Sequence, residues 1–378
     1  MDTFATITAA LSMGGSLIRL ANTPPPAAEY LLTSVLPREI RPDFEVRGGT
    51  LKINTVMAGL VGMDSPYPQG SSIQLSTFNE KTAKIAMTLP LSEEHQRELN
   101  KFLDQAQLGR LGNRTRGDLM SEAALNLYEK GCIQALDDTE EYLRAKALMT
   151  GAISWTFNKK TLTVDYNVPA GNKFVARTGV NGYGGSSSKF WADYLDADAI
   201  VQGAELLLMS NATLNKILNN PAHNIRVISD IYSPQRNIRR VQVVRAVQTA
   251  SGITVGDDRD ARYSVTLTAY LRKGNIVDPT TTGGVIQVNL IPDNKIAVIG
   301  RRDTNQLISI DGTPTPQSTL GYTHIAPTIE GQNVNSPLGR FGRLFTPDQR
   351  PWELIAEAVE NCLPVIEAPE RIVLLETD

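Results

Sequence analysis

The residues that most often carry chemistry are few and widely spaced in this chain. Its histidines, His95, His223 and His324, lie in three different segments. None of them has the H-E-x-x-H or H-x-x-x-H spacing that places two metal ligands on one helix face. The two cysteines, Cys132 and Cys362, are far apart in sequence and form neither a disulfide framework nor a metal motif. No G-x-S-x-G nucleophile motif is present. We therefore expect no catalytic, metal-binding or cofactor-binding residues and no enzymatic activity.

Two runs of carboxylates could suggest a metal site. The first is Asp137-Asp138-Thr139-Glu140-Glu141. On a helix these side chains point in different directions around the axis, and Glu140 can pair with Arg144 one turn later. We therefore predict a solvated helix face. The second run, Asp257-Asp258-Arg259-Asp260, lacks the glycine and the terminal glutamate of a calcium loop and is typical of a turn.

A glycine- and serine-rich segment, GVNGYGGSSSKF at residues 179–190, has the glycine density of a phosphate-binding loop. It lacks the dinucleotide and P-loop spacings, and no Walker-type lysine follows its last glycine. We predict a flexible loop, with nucleotide binding as the alternative.

Two groups of arginines add local positive charge. The first group is Arg110, Arg114 and Arg116, and it favours a solvated loop, with an anionic partner as the alternative. The second group could face either DNA or another protein subunit, and it consists of Arg236, Arg239, Arg240 and Arg245.

One long helix is predicted over residues 115–150, and we call it the spine helix. Apolar residues recur through it at steps of three, four and seven, which gives an apolar stripe on one side. Thr115 and Asp118 fit a capping box at its start, and Gly151 follows its end, where a left-handed residue commonly terminates a helix. A helix this long is typical of a scaffold for other parts or of the core of an α+β enzyme.

Composition excludes several classes of protein. The chain has 378 residues, is 41% hydrophobic and carries a formal net charge of -3, so it can bury a core and lacks overall basic character for gripping nucleic acid. No run of about 18 apolar residues occurs, so we expect no membrane span. The first residues lack the basic start of a signal peptide, and we expect a reducing compartment.

The segments around the spine helix differ in character. Residues 1–46, with Pro24-Pro25-Pro26, are typical of an extended arm without its own core. Residues 47–91 alternate as a long β-hairpin with a Gly/Pro/Ser tip at residues 62–72. Because two strands alone are marginally stable in water, this hairpin needs a surface, either its own chain or a neighbour.

The second half of the chain mixes helices and strands. We predict a helix from Trp191, a buried strand at residues 205–210, and a helix at residues 211–220 that is capped by Asn211 and stopped by Pro221. Residues 313–351 show little periodicity and predict an extended loop or interface strand. Further strands are predicted at residues 225–231, 240–248, 264–271, 284–290, 295–299, 352–366 and 371–376.

Four segments, in this order, resemble the major capsid proteins of tailed bacteriophages, specifically the lambda-type family (major capsid protein E). EYLRAKALMTGAISWTFNKKTLTVDYNVP is similar to the family's spine-helix end and first strands. WADYLDADAI followed by ELLLMSNATLNKILNN resembles its helix, strand and short helix. LIPDNKIAVIG resembles its PDN turn, and RPWELIAEAVENCLPVIEAPERIVLLET resembles its closing segment. The likeness covers most of the chain except residues 225–285.

This resemblance implies an α+β, Hong Kong 97-type capsid fold. It implies an N-terminal arm (1–46), an extended hairpin or E-loop (47–91), a peripheral domain (92–190) with the spine helix at 115–150, an axial domain (191–330), and a C-terminal segment (331–378) that returns to the sheets.

It also implies a subunit that self-assembles into hexamers and pentamers of an icosahedral head around double-stranded DNA. The implied partners are other copies of the chain, a scaffolding protein, a portal, a decoration protein and packaged DNA through non-specific contact. The implied locations are the virion capsid and, during assembly, the host cytoplasm. The alternatives are an encapsulin-type compartment and a soluble α+β binding module.

Overall fold

The chain folds into helices and β-sheets, and the α+β prediction is confirmed. Several residues of the sequence predictions lie outside the described residues, namely the hairpin tip, Arg110, Arg114, Thr115, Arg236 and the run 257–260. A computed structural model describes residues 16–26, 29–43, 45–53, 73–92, 94–98, 101, 116–157, 160–234, 237–245, 247–249, 252–254, 264–277, 285–300, 308–310, 313–315, 320–333, 339–347 and 353–378.

The spine helix is present as three consecutive helical segments. They are α2 (Arg116–Asn126), a π-helical segment (Leu127–Ile133) and α3 (Gln134–Thr150). Gly151 ends the helix with φ 66°, and its N–H donates to the Ala147 carbonyl at 3.0 Å. A Cβ on Gly151 would lie 2.7 Å from Val168 Cγ2. Both the left-handed backbone and the lack of space therefore require glycine here.

A five-stranded sheet packs against the spine helix. Its longest strand, β20, pairs with β18 and β19 on one side and with β4 on the other, while β1 pairs in parallel with β18. Leu136 and Leu143 of the spine helix share a core with Leu363 of β20. The strands are β1 (Arg38–Ile40), β4 (Ala83–Leu91), β18 (Gly321–Ala326), β19 (Phe341–Phe345) and β20 (Leu354–Ile366).

A six-stranded sheet forms a second unit of packing, in the order β21-β15-β7-β12-β9-β8. Phe190 of helix α4 (Phe190–Val201) and Leu214 of helix α5 (Asn211–Asn219) pack with Leu267 and Val298 of the sheet. The strands are β7 (Ala204–Met209), β8 (Ile225–Ser233), β9 (Ile238–Arg245), β12 (Ser264–Tyr270), β15 (Lys295–Gly300) and β21 (Ile372–Glu376).

The hairpin consists of β2 (Glu45–Ile53) and β3 (Ile73–Lys81), which pair from Glu45↔Lys81 to Ile53↔Ile73. The predicted return strand near residues 85–89 is β4, but it leaves the hairpin. It pairs with β20 from Leu91↔Leu354 to Ala83↔Cys362.

The remaining elements are short. In the described ranges, four further two-stranded ladders join β5 to β6, β10 to β11, β13 to β14 and β16 to β17. Their bounds, with those of two short helices, are α1 (Ser16–Asn22), β5 (Ala152–Phe157), β6 (Lys160–Asp165), β10 (Val247–Thr249), β11 (Gly252–Thr254), β13 (Lys273–Val277), β14 (Val285–Asn289), β16 (Ile308–Ile310), β17 (Thr313–Thr315) and α6 (Ile329–Asn333).

The described part of the predicted arm packs on its own chain. Leu17 and Ala21 of α1 and Leu32 and Leu36 are buried in the same core as the spine helix. Strand β1 then extends the five-stranded sheet through its pairing with β18. The arm up to Ile40 therefore obtains its core from the body of the subunit.

Two local predictions were wrong. Helix α5 is capped by Ser210, whose side chain accepts from the Thr213 N–H, whereas Asn211 is the first helical residue. The described part of residues 313–351 contains β17, β18, α6 and β19, and every residue of β18 is buried within this subunit, so β18 is a core strand where an extended loop or interface strand was predicted. A strand buried on both faces shows no polar alternation, so its pattern gave no signal.

Candidate functional site

A buried group of charged side chains lies where the spine helix meets the N-terminal segment and the five-stranded sheet. We call it the ionic cluster. Glu140, Glu141, Arg144 and Glu360 are fully buried, and Arg340 is 1% exposed. The prediction of a solvated face for residues 137–141 is therefore wrong, although the predicted Glu140–Arg144 pair is formed at 2.7 Å. The members are Arg38, Asp137, Glu140, Glu141, Arg144, Arg340 and Glu360.

Arg340 uses all three of its guanidinium nitrogens within the cluster. Its Nη1 donates to Asp137 Oδ1 at 2.6 Å, its Nη2 to Glu140 Oε1 at 2.8 Å and its Nε to Glu360 Oε2 at 2.8 Å. Nη1 also reaches the Ala21 carbonyl at 3.3 Å. One side chain therefore joins helix α1, helix α3 and strand β20.

Glu140 is the acceptor at the centre of the cluster. Arg38 Nε donates to it at 2.8 Å and Arg144 Nη2 at 2.7 Å, in addition to Arg340. Arg38 also donates to Asp137 at 2.6 Å. Burial alone would raise the pKa of Glu140, but the three arginines outweigh it and hold this pKa well below its usual range.

Glu141 connects the spine helix to the N-terminal segment and to β12. Its Oε1 accepts from the Leu32 N–H at 2.8 Å and from the Tyr270 hydroxyl at 2.9 Å. Burial nevertheless raises its pKa. At the rim of the cluster, Arg272 pairs with Asp138, so the acidic run faces cations along its length.

This arrangement can hold segments together but offers little for catalysis. The carboxylate oxygens accept from arginines that come from distant parts of the chain. In the described ranges, no group of three or more His, Cys, Asp or Glu side chains is placed to hold a metal ion. The ionic cluster is therefore a junction between elements.

The structure places the histidines in separate local roles. His223 contacts the Ile217 carbonyl through Nδ1 at 2.8 Å and Ser188 Oγ through Nε2 at 2.6 Å. Nε2 of His324 contacts the Asp43 carbonyl at 2.7 Å. His95 contacts Ser92 on the surface at 2.7 Å.

Both cysteines are buried free thiols. Burial raises the pKa of Cys132 to about 11, so its thiol is protonated and poorly nucleophilic at neutral pH. Burial also raises the pKa of Cys362.

The glycine-rich segment 179–190 folds tightly on itself. A Cβ on Gly185 would collide with the Gly179 and Val180 carbonyls, so the close approach of two backbone stretches accounts for that glycine. Tyr183 is fully buried, and the Asn220 amide donates to the Tyr183 carbonyl at 2.9 Å. The glycine density therefore has a structural explanation without a phosphate.

The second arginine group does not form one continuous patch in the described residues. Arg239 pairs with Asp230 at 2.7 Å and also donates to Asn215 at 2.9 Å. Arg240, the next residue on β9, is exposed.

Strand β8 carries exposed apolar side chains at the edge of the six-stranded sheet. Val227, Ile228, Ile231 and Tyr232 are 46%, 50%, 63% and 58% exposed. Exposed apolar side chains on an edge strand are typical of a protein–protein contact. The strand was predicted from the sequence, but its edge position could not be, because it depends on β9 being its one partner among the described strands.

Comparison with known structures identifies the fold. The chain is similar to a prophage protein of E. coli CFT073 described as a capsid protein, with a TM-score of 0.57 and 10% identity, over 96% of this chain and 98% of that one. The chain therefore has the Hong Kong 97-type fold of phage capsid proteins, as the sequence resemblance implied.

Two further solved structures are similar to the chain with TM-scores below 0.5. A phage-related protein of Bordetella bronchiseptica RB50 gives 0.47 at 11% identity over 95% of both chains. The encapsulin of Synechococcus elongatus PCC 7942 gives 0.44 at 10% identity over 92% of this chain and 86% of that one. No family model and no curated protein matches the sequence. The lambda-type assignment thus stays a resemblance.

Among the described residues, we find no helix with the length and apolar character needed to cross a lipid bilayer.

Proposed function

We propose that this chain is a major capsid protein that assembles into hexamers and pentamers of an icosahedral head enclosing phage double-stranded DNA. The observation that carries the proposal is the likeness to the prophage protein along nearly the whole of both chains. A shared fold does not by itself fix a function, so the surfaces of the subunit have to support it as well.

The hairpin is one such surface. Strands β2 and β3 pair only with each other among the described strands. Because an isolated two-stranded hairpin is marginal in water, contact with a neighbouring subunit would stabilise it. The exposed apolar side chains of β8 would likewise be covered in an assembly.

The remaining partners and locations follow from this proposal. A head of this kind requires a portal, and we include a scaffolding protein, a decoration protein and non-specific contact with packaged DNA. A formal net charge of -3 limits repulsion between the many copies of a shell. We place the protein in the virion capsid and, during assembly, in the host cytoplasm, with a structural rather than an enzymatic role.

Deletion of the hairpin tip, residues 62–72, tests the proposal. We expect a subunit that folds but does not assemble, because it loses contacts with its neighbours and keeps both cores. Size-exclusion chromatography measures assembly, and thermal unfolding should give a melting temperature within about 2 °C of the wild-type subunit.

A second variant replaces residues 62–72 with a Gly/Ser linker of equal length. This variant removes the side chains of the tip and keeps the length of the segment, so it separates loss of tip contacts from shortening of the hairpin. Full assembly of the deletion variant would count against the proposal.

A further inference from the structure

The two oxygens of Glu360 have different surroundings. Oε2 accepts from Arg340 Nε at 2.8 Å. In the part of the chain that the structure describes, no donor reaches the buried Oε1. The carboxyl group of Glu140, on the spine helix, also lies beside Glu360. Two ionised carboxylates are both acceptors and cannot form a hydrogen bond with each other.

The ionic cluster also contains more carboxyl groups than guanidinium groups. Three guanidinium groups, those of Arg38, Arg144 and Arg340, face the four carboxyl groups of Asp137, Glu140, Glu141 and Glu360. An uncompensated charge in a buried site is strongly unfavourable, so one carboxyl group should be neutral.

Glu360 is the carboxyl group with the fewest donors. Glu140 accepts from three arginines and Asp137 from two. Glu141 accepts from Arg144, the Leu32 N–H and the Tyr270 hydroxyl.

We propose that Glu360 is a neutral carboxylic acid at neutral pH and donates a hydrogen bond from Oε1 to the Glu140 carboxylate. This proton supplies the missing donor and balances the cluster at three positive and three negative groups. Burial, together with the neighbouring charge of Glu140, raises the pKa of Glu360, while Arg340 opposes the shift.

The shared proton makes the junction sensitive to alkaline pH. The groups that face Glu360 come from four segments. They are Glu140 of α3, Arg38 of β1, Arg340 before β19 and Cys362 of β20. A carboxyl group whose pKa is raised by folding contributes stability that is complete below its unfolded value of about 4.3. That contribution is lost as the pH rises towards the folded value.

The substitution E360Q tests the inference, because glutamine has nearly the same shape and can donate to Glu140 without titrating. We measure thermal unfolding of the wild-type and E360Q chains from about pH 6 to about pH 9. The difference between the melting temperatures of E360Q and wild type, in favour of E360Q, should increase by at least about 2 °C from the lowest to the highest pH. The matched control E357Q changes a partly exposed glutamate on the same strand, which pairs with Arg343, and should show no such trend.

An infrared band from a protonated carboxyl group should be present at neutral pH in the wild type and absent in E360Q. The proposal would be overturned if E360Q were less stable by a constant amount at every pH, or if the wild type lacked this band. Failure of E360Q to fold would also contradict it, since a neutral isostere should be accepted. The readouts use subunit folding alone and do not depend on the proposed capsid role.

Discussion

At the scale of single residues, the buried ion pairs of Arg340 could not be predicted from the sequence. Its acceptors Asp137 and Glu140 lie about two hundred positions away in the chain, at separations of 203 and 200 residues. The acidic run predicted the local Glu140–Arg144 pair because four residues span one helical turn. The buried run also pairs with Arg340 and Arg38, and no local spacing brings these residues together.

Removing Arg340 should destabilise the subunit strongly. We expect Arg340→Met to cost about 3–5 kcal/mol of unfolding free energy, because Asp137, Glu140 and Glu360 would each lose a buried cation. Urea unfolding measures this loss. The control Arg343→Met removes the pair with Glu357, in which the Arg343 side chain is 51% exposed, and should cost at most about 1 kcal/mol. Equal losses in the two variants would show that the cluster does not stabilise the fold.

At the scale of elements, several predictions that depend on local signals were confirmed. The spine helix follows from its periodicity and from Gly151, and strands β7 and β15 follow from short apolar runs. The end of the hairpin at Lys81 could not be predicted in this way. Ile85 and Leu89 alternate as in a hairpin strand, but β4 pairs with β20, which follows it by more than two hundred residues. The π-helical segment also lacks a signal in the apolar spacing.

The end of the spine helix can be tested at one position. Gly151→Ala should lower the unfolding free energy by about 1–2 kcal/mol, because alanine is strained in the left-handed backbone conformation of residue 151. The close contact between the added Cβ and Val168 should add to this loss. Gly171→Ala is the control, since nothing lies within 4 Å of its added Cβ and its φ is not in the positive range. We expect that control to stay within about 0.5 kcal/mol of wild type. Equal destabilisation in both variants would exclude the helix end as the cause.

At the scale of the whole molecule, the described residues pack into two hydrophobic cores. The first core joins the spine helix, the five-stranded sheet and the described part of the arm, and the second lies within the six-stranded sheet and its two helices. The sequence resemblance implied the α+β class, which is confirmed. The sequence could not predict that the arm would bury its apolar residues on its own body, because an apolar run does not specify its partner. The division into arm, hairpin, peripheral and axial domains stays a prediction.

Direct imaging of its assemblies tests whether this subunit builds a shell. Purified chain would be fractionated by size-exclusion chromatography and examined by negative-stain electron microscopy, alone, with crowding agents and with a scaffolding protein. We expect rings of five and six subunits or closed shells, because the hairpin and the apolar edge of β8 gain stability on neighbouring copies. A subunit that remains monomeric under all three conditions would contradict the proposed function.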